Sequence, residues 1–175
     1  KGKFENVLGD LMPNPEFSSC FSGNNPLLIF ADPFGGTGVP FDLLKKCLSS
    51  SGSELLLNFD ADGIARIHTG KNEGWQTQLD EIFGGRDWEY IFSNPQDSLA
   101  KRAQNCLDLY KSKLKEIQGV DFVWSFEMRD GSDRINYYLI FATRNRLGME
   151  KMKEAMRTID KSGQYSFSDA HQNQH

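Results

Sequence analysis

The stretch Leu27-Leu-Ile-Phe-Ala-Asp-Pro-Phe-Gly-Gly-Thr-Gly-Val-Pro40 constrains the chain more than any other. Leu27 to Ala31 is a short, uninterrupted apolar run entered from Pro26 and left through glycines. That pattern predicts a central strand buried on both faces of a parallel sheet. Asp32 falls where the strand ends. In open α/β sheets ligands bind in the crevice beyond the carboxyl ends of the strands, which makes Asp32 the first candidate site residue. Pro33 fixes φ and has no amide hydrogen, so it biases Asp32 toward an extended conformation that presents the carboxylate outward. Gly35, Gly36 and Gly38 permit close approach of a ligand to the backbone, and Pro40 suits the first turn of a following helix. The competing reading is an ordinary strand-to-helix turn in which Asp32 caps amides.

The flanking patterns extend this unit. Phe4 to Leu8 before Gly9-Asp10 reads as a short strand with an acid at its end, and Leu11 to Asn25 as loop with a helical turn near Phe17 to Phe21. Apolar residues at helical spacing predict a helix over Pro40 to Ser49, and Glu54 to Phe59 reads as a second strand, so the order is βαβ. Polar groups at Asn58, Asp60 and Asp62 again follow a strand end. A lid or insert is expected over residues 63–95, with a helix from Trp75 to Phe83. Ser98 or Asp97 caps a long amphipathic helix reaching Ile117. Strands over Phe122 to Met128 and Ile135 to Thr143, joined across Asp130-Gly131, predict an antiparallel hairpin. Gly148 to Thr158 reads as a last helix with Met149, Met152 and Met156 on its apolar side. With 175 residues, one α/β domain over 1–160 and a polar tail over 161–175 are expected.

A net charge of −4 gives no global attraction to nucleic acid, so such a contact needs a local patch. Arg144, Arg146, Lys151, Lys153 and Arg157 are the candidates, against the plainer reading of a solvated helix face. Three scattered cysteines and three histidines support neither a zinc site nor a disulfide framework. His68 reads as a solvated loop histidine or, less simply, a base. No apolar stretch approaches the roughly 18 residues that span a bilayer. A reducing, cytoplasmic setting without membrane contact is the expectation.

Asp32-Pro-Phe-Gly35 resembles the Asp/Asn-Pro-Pro-Tyr/Phe motif that amino-group methyltransferases place after their fourth strand, with Phe34-Gly35 replacing its second proline and aromatic. Strands followed by helices and then a terminal hairpin is also the order of the later half of a Rossmann-like class I methyltransferase. The match widens through Gly38-Val-Pro-Phe41, Asn58-Phe59, Gly63-Ile-Ala-Arg66, Phe126-Glu-Met-Arg-Asp-Gly131, Tyr137 to Ala142, Leu147-Gly148 and Met152 to Met156. On these residues nearly the whole chain resembles the three-Cys-motif partner protein family, a bacterial and phage-associated group.

The resemblance implies a mostly parallel Rossmann-like sheet with a C-terminal antiparallel hairpin. It further implies S-adenosylmethionine as cofactor, a three-Cys-motif protein as partner, and methyl transfer to an amino group of a nucleobase or other planar substrate. Asp32, Pro33 and Phe34 are the implied catalytic residues; Gly9, Asp10 and Asp32 would face the cofactor; Gly35, Asn58 and Arg66 would face substrate. The glycine-rich turn that holds the cofactor does not precede Phe4, so the N-terminal strands are expected to be missing from this chain. Two other functions stay open: a non-catalytic assembly partner that kept the fold, and a metal-dependent hydrolase gathering Asp10, Asp32, Asp60 and Asp62 around magnesium.

Overall fold

The structure, a computed structural model, describes residues 4–11, 13–21, 26–33, 38–68, 74–160, 163–164 and 166–168. It begins with helix α1 (Phe4–Leu11), where a strand was expected. Phe4, Val7, Leu8 and Leu11 are spaced by three and four residues, and that period outweighs the local run. Helix α2 (Pro15–Phe21) follows, longer than the single turn expected. Strand β1 (Leu27–Ala31), helix α3 (Phe41–Cys47) and strand β2 (Ser53–Phe59) then form the βαβ unit. The two strands pair in parallel, with Ala31 beside Leu57.

Helix α4 (Ala61–Ile67), absent from the sequence reading, starts at Asp60, whose carboxylate accepts from the Gly63 amide. Helix α5 (Trp75–Phe83), a 3₁₀ segment (Asp87–Phe92) and helix α6 (Leu99–Glu116, capped by Ser98) come next. Leu79, Ile82, Phe83, Trp88 and Ile91 of the 63–95 stretch are buried in the same apolar cluster as β1 and β2. Strands β3 (Phe122–Arg129) and β4 (Ile135–Thr143) form the expected hairpin, with a register shift at Met128/Arg129. Helix α7 (Arg146–Ile159) is capped by Asn145. The tail is not wholly irregular: β5 (Ser166–Ser168) adds in parallel to β3. Ser166-Phe167-Ser168 is too short to carry a periodic signal, and a buried Asp160 carboxylate receiving the Ser166 amide helps fix it.

The result is an α/β fold around a mixed five-stranded sheet in the order β1-β2-β4-β3-β5. Four strands run one way, and β4 runs against them between β2 and β3. One face carries Ile29, Leu55, Leu57, Phe59, Ile140 and Val123 into the main core, which α3 to α6 complete. On the other face α7 covers the hairpin: Lys153 lies 3.8 Å over the Trp124 ring, and Phe126, Phe141, Met149 and Met156 are buried.

One expectation is reversed. β1 is not central but the sheet's edge among the described strands, and Leu28 and Phe30 are 62% and 57% exposed. A continuous apolar run cannot reveal which of its two faces is covered.

Candidate functional site

The parallel register of β1 and β2 builds the site. Because Ala31 aligns with Leu57, the next residues out, Asp32 and Asn58, emerge side by side at the carboxyl end of the sheet. The Asn58 side-chain amide donates to Asp32 Oδ1 at 2.8 Å. Among the described residues Oδ2 has no protein donor, and Asp32 is exposed. Pro33, Gly38, Asn58 and Asp60 rim a recess behind this pair, floored by Ile64 and Tyr110. Its roughly 10 Å³ would take about one water molecule. Gly38 is required here twice over: its φ is +64°, and a Cβ would stand 2.6 Å from Ile82 Cγ1.

The other candidates fare differently. Phe34 and Gly35 lie outside the described residues, as do Gly36 and Thr37. Gly9 and Asp10 fall in the last turn of helix α1 and not at a strand end, which removes the geometry that put them beside a cofactor. Arg66 is exposed on α4 and pairs with Asp62 one turn earlier, at 3.3 Å. Asp60 is committed to capping α4. Among the described residues no three His, Cys, Asp or Glu side chains gather as a metal site, so the four acids of the hydrolase reading do not converge.

His68 is part of a packed cluster. Its ring lies 4.4 Å from Phe92, Nδ1 is 3.2 Å from the Ala65 carbonyl, and Nε2 faces Arg102 at 3.5 Å. Burial raises the thiols of Cys47 and Cys106 to about 11 and about 12, leaving both without reactive thiolate near neutrality. The basic run is largely engaged at home. Arg144 donates to the Leu48 carbonyl, Arg146 pairs with Glu150 at 2.9 Å, Lys151 pairs with Glu154 at 2.8 Å, and Lys153 sits on Trp124. Arg157 is exposed in the last turn of α7.

A polar cluster at the same sheet end escaped the sequence reading. Arg129 donates to Glu127 at 2.6 Å and to Ser166 Oγ at 3.0 Å, and the hydrogen bond it gives to the Glu127 carboxylate raises the guanidinium further. Tyr138, opposite both Phe59 and Glu127, is raised by burial first and then by the Glu127 and Asp62 charges. The available signal was period two: Glu127 and Arg129 must share one face of β3.

No family model matches the chain, and no curated protein or solved structure gives a significant match. Among the described residues no helix is long and apolar enough to cross a membrane.

Proposed function

We propose that this chain is a methyltransferase-like protein that holds an amino group of a planar substrate, such as a nucleobase, at Asp32 and the adjoining Pro33 carbonyl. The observation that carries this reading is the Asp32–Asn58 hydrogen bond at the ends of neighbouring parallel strands. A carboxylate with one oxygen anchored by Asn58 keeps the other for an amine hydrogen, and orienting the nitrogen lone pair is the main demand of transfer to an amine. The reversed strand β4 between β2 and β3 agrees with the strand and hairpin order on which the resemblance rests.

The recess behind Asp32 is by itself too small for S-adenosylmethionine. That recess has room for about one water, and Asp10 lies in a helix and not at a strand end. The residues at Asp32 are suited to the substrate side of the reaction, and a three-Cys-motif protein is the partner by resemblance. The same small recess favours the second reading, an assembly partner that keeps the fold without the chemistry.

Titration of adenine and cytosine into ¹⁵N-labelled protein, followed by NMR, separates the two. The substrate-holding reading expects saturable shifts centred on the Asn58 side-chain amide and the Gly38 backbone, and at least tenfold weaker binding in Asp32→Ala. Shifts absent at millimolar base, or unchanged by Asp32→Ala, would leave the assembly reading in its place.

A further inference from the structure

The contact between Asp32 and Asn58 leaves one hydrogen-bonding group of each residue unspent. A carboxylate only accepts, so the contact fixes how the Asn58 amide is turned, with Nδ2 toward Asp32 and the carbonyl oxygen away from it. Nδ2 carries two hydrogens, and Asp32 Oδ1 takes one of them at 2.8 Å. Among the described residues neither the second hydrogen nor Asp32 Oδ2 has a partner. The pair thus offers one acceptor and one donor, on the two partners of a single hydrogen bond. Asn58 is half-buried and lies inside β2, between Asp32 at the end of β1 and Leu139 of β4, so the sheet holds the donor in place.

We propose that Asn58 is a specificity-determining residue, whose second amide hydrogen donates to a bare ring nitrogen next to the amine that Asp32 holds. The inference rests on the substrate-holding reading and narrows it. The ligand class is an amine on the carbon beside an unprotonated ring nitrogen, the edge that adenine and cytosine share. Such an edge gives a hydrogen to Asp32 Oδ2 and takes one from Asn58, so both unspent groups are used. An alkylamine or an aniline satisfies Asp32 and sets carbon against the Asn58 N–H, which loses its water without gaining an acceptor. Guanine is disfavoured more strongly. The ring nitrogen beside its amine carries a hydrogen on the pairing edge, which meets the Asn58 hydrogen head on, and specificity of this kind comes from repulsion as well as attraction.

A one-atom change in the ligand tests it. The ¹⁵N-labelled 175-residue chain is titrated by NMR with 9-methyladenine and with its 1-deaza analogue, in which C–H replaces the ring nitrogen and the amine is kept. The expected result is that 9-methyladenine binds about fivefold tighter or more, the worth of one hydrogen bond for which water competes. Of the two Asn58 side-chain protons, the one not bonded to Asp32 should move downfield with 9-methyladenine and stay in place with the analogue. That signal is read in wild-type protein and depends on no variant. Asn58→Ala should bring the preference below about twofold. If the two ligands bind wild type equally while Asp32→Ala abolishes both, this inference falls and the substrate-holding reading stands. A preference that survives in folded Asn58→Ala has the same consequence. Binding of neither ligand, or binding that Asp32→Ala leaves unchanged, removes both.

Discussion

The two halves of the sheet are built from the same kind of strand and finished in opposite ways. The β3–β4 hairpin is covered on both faces: α6 and its neighbours take Val123 and Ile140, and α7 takes Phe126 and Phe141, each 1% exposed. Among the described residues β1 is covered on one face only, so Ile29 is buried while Phe30 beside it faces solvent, and Leu56 of β2 is half-buried. Both halves feed the main core, but the hairpin half packs a second apolar layer against α7, while the exposed Leu28 and Phe30 and the Asp32–Asn58 pair lie in the other half. A ligand crevice has to stay open to work, and a strand end next to an uncovered face is where this fold can tolerate that.

The sharpest way to break this contrast is to truncate one aromatic ring in each half. Phe141→Ala should cost about 3–5 kcal/mol, because the ring fills the space between the sheet and α7 and its loss leaves a cavity. Phe30→Ala, measured in dilute protein, should cost about 0.5 kcal/mol or less, the usual range for an exposed site. Urea unfolding of both variants checks the pair. Comparable losses would mean that Phe30 is covered in the folded monomer and that the halves are alike.

Gly38→Ala comes next, at about 1–3 kcal/mol. It forces a side chain into a left-handed backbone and against Ile82, which is itself fully buried. Thermal unfolding of Gly38→Ala alone and combined with Ile82→Ala separates the two causes. If contact dominates, the double variant should lose much less than the sum of the two singles; additive losses would assign the cost to φ alone. Smaller again is Asp60→Ala, expected near 1 kcal/mol for loss of an N-cap. No effect in the same assay would mean that α4 does not depend on that cap.

How far these features could be read beforehand follows the same division. Elements whose burial sets a period were legible: α5, α6, β2, β3 and β4 lie within about two residues of expectation, because apolar spacing and caps such as Ser98 report directly on them. Helix α1 was misread since its stretch Phe4 to Leu8 fits a short strand equally well, and α4 was missed because Asp60 and Asp62 looked like strand-end acids and not a cap and a first-turn residue. β5 is three residues with a single apolar side chain, Phe167, too short for a period to show; its place comes from contacts of Ser166 with Asp160 and with Arg129, the latter far away in sequence. At the site, Asn58 was expected to share a crevice with Asp32, and the register of two parallel strands brings them into contact. The exposure of Leu28 and Phe30 was out of reach, since it depends on which helix packs where.

The smallest expected effect on stability bears most on function. Asp32→Asn keeps the size of the side chain and an oxygen to accept from Asn58, so only the charge is lost. A hydrogen bond to a carboxylate is stronger than a neutral one by about 1 kcal/mol when water is excluded. Asp32 is exposed, and water competes there for both groups, so the net cost should fall to about 0.5 kcal/mol or less. The charge matters more to a bound amine, whose hydrogens a carboxylate accepts and a carboxamide accepts less well. Binding of adenine or cytosine should therefore weaken several-fold while the melting temperature hardly moves. A variant that melts several degrees lower and binds as before would make Asp32 a structural cap of the strand end, and would join the β1–β2 half to the hairpin half as scaffold.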